Sequence, residues 1–188
     1  MRVITGTARG RKLQTPAGTA VRPTSDMVKE AVFSIVQFEV EGARVLDLFA
    51  GSGQMGIEAL SRGARSCVFV DNAKNSLAAV RENLRSCNLT AHAKVMAGDA
   101  LVFLREYRGE PFDIAFLDPP YAEGLMPAAL AALSDHISQS GVVLCETDRD
   151  TPLPETAGSL ILKKKYRYGK TKLVQYRVRE SIEKPSIG

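Results

Sequence analysis

From Ala43 onward the chain alternates short apolar runs with stretches of helical periodicity, and this rhythm restricts the fold more than any other feature. Arg44–Phe49, Ser66–Asp71, Lys94–Ala97, Asp113–Asp118 and Val142–Glu146 are short, apolar and rich in β-branched or aromatic residues, so they read as strands. Between them, Gly53–Arg62, Asn75–Ser86, Ala100–Tyr107 and Leu125–His136 read as helices, with Leu77, Val80, Leu84 and Cys87 along one face of the second. Such alternation predicts βαβ units and a mostly parallel sheet covered by helices on both faces. The pattern then changes. Ser159–Tyr166 and Lys172–Val178 read as an antiparallel strand pair joined through Arg167-Tyr168-Gly169-Lys170 and ending the sheet.

The segment ahead of Ala43 is of another kind. Arg2–Thr5 and Lys12–Thr15, separated by Gly6 and Gly10, predict a β-hairpin-like arm. Pro23-Thr24-Ser25 supplies helix-capping side chains, and Val28, Ala31, Val32, Ile35 and Phe38 follow at helical spacing, so residues 25–39 read as an amphipathic helix. The expected organisation is an arm (1–24), an α/β domain (25–179) and a loose tail (180–188).

Charge follows the same division. The net charge of +4 is the sum of +5 before Asp26, −8 over residues 26–155 and +7 from Thr156 onward. A basic balance confined to the ends points to two edges able to meet a polyanion; the plain alternative is a solvated surface. No stretch has the length and apolarity of a membrane span, and Met1–Gly6 has no apolar signal core, so a cytoplasmic protein is expected. Cys67, Cys87 and Cys145 lack metal-ligand spacing and read as small core residues; with His92 and His136 as the only histidines, no metal site is expected. Nothing demands a dimer, so a monomer is expected.

The candidate chemistry lies where the strands end. Gly51-Ser52-Gly53-Gln54-Met55-Gly56 is a G-x-G-x-x-G between a strand and a helix, with Gly51 and Gly53 for a tight turn and Gly56 for close helix–strand packing. Several nucleotide-binding classes share that pattern. Asp47, just before the glycines, is badly placed for a pyrophosphate and well placed for a cationic amine. Asp71 ends the next strand, in position for a ribose diol, or else caps the helix after Asn72-Ala73. Asp99 follows the third strand, positioned for an adenine amino group, or else caps the helix beginning at Ala100. Asp118-Pro119-Pro120-Tyr121 closes the fourth, because two prolines cannot continue a ladder. An acidic acceptor, rigid carbonyls and an aromatic face suit gripping a planar base by its exocyclic amine; the alternative is a proline-rich turn. Acids after four parallel strands would line one crevice at the carboxyl edge of the sheet.

Asp47–Gly56, Asp71, Asp99 and the Asp-Pro-Pro-Tyr tetrad resemble the successive motifs of class I S-adenosylmethionine-dependent methyltransferases, whose fold is Rossmann-like. The flanks resemble one branch, the RsmD family of 16S rRNA guanine-N2 methyltransferases. They do so through Arg2–Gly6, Arg9–Leu13, Arg22-Pro23-Thr24, Leu48–Gly53, Glu58–Ala64 and Tyr168–Thr171. The resemblance covers essentially residues 1–179. Gln54-Met55 departs from the small and leucine residues of that pattern, and Lys29 stands in place of Arg.

The resemblance implies methyl transfer from S-adenosylmethionine to N2 of one guanine in bacterial 16S rRNA, of the guanine(966)-N2 type, with assembled small subunits as substrate. It assigns Asp47, Phe49, Gly51, Gly53, Asp71, Asn72, Asp99 and Ala100 to the cofactor and Asp118, Pro119, Pro120 and Tyr121 to catalysis, with Tyr121 stacking on an unpaired or flipped base. Arg9, Arg11, Lys12, Arg22 and Lys170 are expected to grip RNA phosphates, with Lys163–Lys165 and Arg167 as a further contact. Three other readings stay open. They are an adenine-N6 or protein-glutamine methyltransferase of the same fold, an NAD-dependent oxidoreductase, and a non-catalytic RNA-binding or ribosome assembly module.

Overall fold

The computed structural model describes residues 1–16, 25–120 and 124–180. Arg22, Tyr121 and the tail from residue 181 lie outside them. Five α-helices are described: α1 (Asp26–Ile35), α2 (Gln54–Ser61), α3 (Lys74–Ser86), α4 (Ala100–Glu106) and α5 (Leu125–Leu133), with 3-10 turns at Thr90–His92 and Ser134–His136. The strands are β1 (Arg44–Leu48), β2 (Ser66–Asp71), β3 (Ala93–Ala97), β4 (Phe112–Leu117), β5 (Ile137–Asp148), β6 (Thr156–Ala157), β7 (Leu160–Tyr168) and β8 (Thr171–Val178). They form one sheet in the order β3-β2-β1-β4-β5-β8-β7-β6. β1 to β5 are parallel, and β8 returns antiparallel beside β5. The expected Rossmann-like architecture is therefore present, with the antiparallel strands at one edge.

Strand alternation builds a core on each face. Val45, Cys67, Phe69, Ile114, Phe116, Val142 and Leu144 point to the face covered by Val28, Val32 and Phe33 of α1, Ile57 of α2 and Val80 and Leu84 of α3. Their neighbours Leu46, Val70, Ala115, Leu117, Val143 and Cys145 point the other way, toward Leu104 of α4 and Leu130 and Leu133 of α5. All three cysteines are buried and unpaired.

Three local readings are corrected. α1 stops at Ile35 and Phe38 is 92% exposed, because Val36 and Phe33, not Phe38, complete its buried face. β5 begins at Ile137, ahead of the expected Val142; pairing of Phe112 with Ile137 and then Ile114 with Val142 carries a register shift that accommodates the polar Ser138–Gly141. The short β6 has no counterpart in the sequence pattern, since two residues carry no periodicity.

The amino-terminal arm makes one antiparallel bridge, Arg2 with Lys12, and is held by side chains of α2 and α3. Glu58, wholly buried, accepts the backbone amides of Ile4 (2.8 Å) and Thr5 (3.0 Å) and the Arg62 Nε (2.8 Å). Its charge is matched by the equally buried Lys29, whose Nζ lies 3.6 Å away and donates to the Arg2 carbonyl. Burial pushes the Lys29 ammonium down, and Glu58 opposes that shift. Ser61 Oγ accepts from Ala8 N (2.9 Å), and Asn83 both accepts from Gln14 N (2.8 Å) and donates to its carbonyl (3.0 Å). The described part of the arm, residues 1–16, is thus tied to the helical layer by these contacts.

Candidate active site

The carboxyl ends of β1, β2, β3, β4 and β5 open into a cleft of about 520 Å³ lined by Phe49, Asp71, Asp99, Asp118, Pro119, Pro120 and Glu146, among others. A smaller recess of about 100 Å³ adds Asp47, Gln54 and Met55 and shares Phe49, Gly51, Asp118 and Glu146 with it. The described acids expected at four strand ends therefore do line one crevice. No lysine or arginine is among the described lining residues of either cavity.

The turn after β1 is tight. Phe49 has φ +71°, a conformation costly for an aromatic residue, and its backbone N–H donates a hydrogen bond to the Val70 carbonyl (3.0 Å). At Gly56, an added Cβ would lie 2.3 Å from the Phe69 ring, so only glycine lets α2 pack this closely on β2.

Three of the acids bind backbone amides. Asp47 Oδ2 accepts from Gly56 N (2.9 Å) near the start of α2. Asp71 accepts from Gly51 N (2.8 Å) and Ala73 N (2.8 Å), tying the glycine turn to the end of β2. Asp99 is the N-cap of α4, with Oδ1 accepting from Leu101 N (2.9 Å) and Val102 N (3.0 Å). The capping alternative is thus realised at Asp99 but not at Asp71, since the N-cap of α3 is Ala73 and carries no side-chain cap bond; both acids line the cleft. Asn72 and Ala100 line the same wall.

Those bonds also decide what the turn can hold. A phosphate-binding glycine loop offers its free amides to an anion. Here the Gly51 and Gly56 amides are taken by carboxylates, and the surrounding acids repel a diphosphate. The same surface suits a ligand with a cationic amine and sulfonium, a diol and an exocyclic amine.

Asp118 differs from these three. Among the described residues its carboxylate accepts no hydrogen bond. It is exposed, but into the cleft, so protein rather than bulk water surrounds much of its carboxylate. Burial, then the negative charges of Glu146 and Asp47, push its carboxyl up to about 8. Burial likewise raises Asp47 to about 7, against the pull of the Gly56 amide.

Glu146 is the residue that sequence reasoning passed over. Leu117 pairs with Cys145 at the end of the parallel β4–β5 register, and the residues that follow them, Asp118 and Glu146, both line the cleft and its recess. The signal was present, since Val142–Glu146 ends in an acid like the four strands before it.

The basic residues are placed less uniformly. Met1, Thr15 and Pro16, at the two ends of the arm, border the recess. Arg9 and Arg11 are exposed at its far turn; Thr7 N bonds the Ser61 carbonyl at the end of α2 (2.8 Å), and the Arg11 charge acts on Cys87 at the end of α3. That turn is about one length of α2, ~12 Å, from the crevice. Lys12 is exposed on the returning strand of the arm, and Lys170 is exposed beside Thr171, which lines the cleft.

The strand order with a reversed last strand, the glycine turn and the acid-lined crevice together define a Rossmann-like methyltransferase fold. Within it, the family model described as Conserved hypothetical protein 95 matches residues 1–177. "Putative rRNA methyltransferase YlbH" of Bacillus subtilis is 43% identical over 183 residues, 95% of this chain and 100% of its own. "Ribosomal RNA small subunit methyltransferase D" of Haemophilus influenzae is 34% identical, over 95% of this chain and 92% of its own. The solved structure of a hypothetical protein from Thermus thermophilus superposes with a TM-score of 0.82 at 32% identity, covering 95% of this chain and 99% of that one. The chain belongs to this family, that of the ribosomal RNA small subunit methyltransferase D proteins.

Proposed function

We propose that the protein transfers a methyl group from S-adenosylmethionine to the exocyclic N2 of a guanine in 16S rRNA, on small-subunit particles. One observation carries the cofactor class: the amides of the glycine turn are occupied by Asp47 and Asp71 in a crevice lined by acids, which favours a cation over a dinucleotide. The acceptor rests on the tetrad at the end of β4 and on the names of the relatives, which are rRNA methyltransferases.

S-adenosylmethionine, when bound, supplies a methyl group already activated by its sulfonium. Asp47, Phe49, Gly51, Gly53, Asp71, Asn72, Asp99 and Ala100 are proposed to hold it. The remaining work is alignment and proton handling at the amine. The N2 lone pair is delocalised into the guanine ring. Asp118 and the Pro119 carbonyl accept its two N–H groups, which favours a pyramidal nitrogen with the lone pair directed along the transfer axis. Asp118 Oδ then takes the proton that the methylated nitrogen releases, a role suited to a carboxyl raised toward neutrality. Tyr121, from its place after Pro120, is proposed to stack on a base turned out of its helix. Arg9, Arg11, Lys12, Arg22 and Lys170 are proposed to grip phosphates, with Arg9 and Arg11 reaching RNA some distance from the target base.

Incubation with labelled S-adenosylmethionine and small subunits lacking the modification, followed by mapping of the label, tests the reading. Label at N2 of a single 16S guanine is expected; label on adenine or on protein would replace the acceptor.

A further inference from the structure

The glycine turn carries a side chain that departs from the family pattern. Gln54 stands where that pattern has a small residue, at the first position of α2, and it is only 7% exposed. Its Oε1 is buried with no hydrogen-bond partner among the described residues. A buried amide oxygen left unmatched destabilises a folded chain, and a donor arriving from outside would account for its being kept. Resting on the S-adenosylmethionine reading above, we infer that Gln54 is a further cofactor-binding residue, whose amide oxygen accepts a hydrogen bond from the α-ammonium group at the amino-acid end of the cofactor.

The two cavities assign that end. Asp71 and Asp99, proposed for the ribose and the adenine, line the cleft and not the recess. Asp47 and Gln54 line the recess and not the cleft, while Phe49 and Gly51 line both. A nucleoside seated against Asp71 and Asp99 therefore has the recess at its far end. Asp47, Asp118 and Glu146 border the recess, and no basic side chain does among the described residues, so a cationic head group is favoured there over an anionic one. Gln54 also belongs to the same turn as the acid proposed for the amine: Asp47 Oδ2 accepts from Gly56 N, two residues further along α2.

The amide adds what the carboxylates alone do not provide. Burial raises Asp47 to about 7 and Asp118 to about 8, so their charge near neutrality depends on what is bound. A glutamine oxygen is an acceptor at every pH. The last torsion of the side chain is soft, so turning the amide presents Oε1 to a donor in the recess. Hydrogen bonds from a charged donor are about twice as strong as neutral ones, which makes an ammonium a better partner for this oxygen than water.

Calorimetry with two compounds isolates the ammonium. S-adenosylhomocysteine retains the amino-acid tail; its desamino analogue has hydrogen in place of the ammonium and keeps the carboxylate. Wild-type protein is expected to bind the first about 100-fold more tightly, through Asp47 and Gln54 together. In Gln54→Met, similar in length but without the amide, that preference should fall to about 10-fold. Gln54→Ala, which restores the small side chain of the family pattern, should show the same fall. Gln54→Glu keeps an acceptor in place and should keep the preference or increase it. A wild-type preference near 1 overturns the inference without any variant. A preference equal to the wild type in Gln54→Met and Gln54→Ala overturns it too, and leaves Oε1 to an ordered water. So does a preference lost in Gln54→Glu as well, which would make the residue's shape and not its oxygen decisive. If neither compound binds the wild type, the S-adenosylmethionine reading itself fails, and the inference with it.

Discussion

The crevice is lined with acids from end to end, yet its two sides use them in opposite ways. On the β1–β3 side, Asp47, Asp71 and Asp99 accept backbone amides, shape the glycine turn and cap a helix. On the β4–β5 side, Asp118 makes no such bond among the described residues and has its proton affinity raised by burial and by Glu146. The first group stabilises the loops that border the cleft. On the second side the Asp118 carboxylate has no such bond, which leaves it for the donors of the proposed substrate at some cost to the folded state. A capping carboxylate, with two oxygens and several lone pairs, can still face a ligand, and the acid whose side chain has no local hydrogen bond is the one proposed for chemistry.

This contrast can be broken most directly at Asp118. Asp118→Ala should lower kcat by about 10³-fold while leaving S-adenosylmethionine affinity within about 3-fold, measured by single-turnover transfer and by calorimetry. A large loss of affinity would move Asp118 to the cofactor side. Asp47→Ala should do the reverse, weakening S-adenosylmethionine by about 10–100-fold through loss of a charged acceptor and of the Gly56 anchor. On the RNA side alone, Arg11→Ala with Lys12→Ala should weaken particle binding several-fold and flatten its dependence on log salt by about one to two, with cofactor affinity unmoved. Equal methylation of particles at moderate salt would exclude these two from the interface.

Stability gives the finest comparison. Asp99→Ala removes an N-cap and should cost about 1 kcal/mol in urea unfolding. Asp118→Asn should act in the other direction. Its carboxyl is raised from 3.8 to about 8, so between those values the folded protein keeps a proton that the unfolded chain has released. Wild-type stability therefore falls as pH rises through that window, and the asparagine variant escapes the fall. Its melting temperature should exceed the wild type by a growing margin from pH 5 to 8, reaching about 2 °C. A margin that shrank with pH would mean that the charged form of Asp118 has a partner.

Much of the fold was readable from local signals. The glycine turn, the strand-ending prolines and the run of apolar segments each fix backbone geometry through neighbours in sequence, so β1 to β4 and α2 to α5 fall close to their expected bounds. Signals failed where the tertiary contact chose the outcome. Phe38 continued the helical period on paper, but the helix ends before it. Glu58 looked like one more residue in Glu58–Ala64, yet it is buried with Lys29 and holds the arm through Ile4 and Thr5. That pair also accounts for lysine at position 29, since a single ammonium reaches both Glu58 and the Arg2 carbonyl.

What the chain determined by itself is the alternation of elements and the acid at the end of each parallel strand, because periodicity and turn chemistry act over a few residues. Which acids become neighbours was decided only when β4 paired with β5 and β2 closed on the glycine turn. Strand pairing joins segments that are distant in sequence, and no local pattern encodes the partner. Hence Asp71 could be seen as a strand-end acid from the sequence, but its bond to Gly51, and the meeting of Glu146 with Asp118, exist only in the folded sheet.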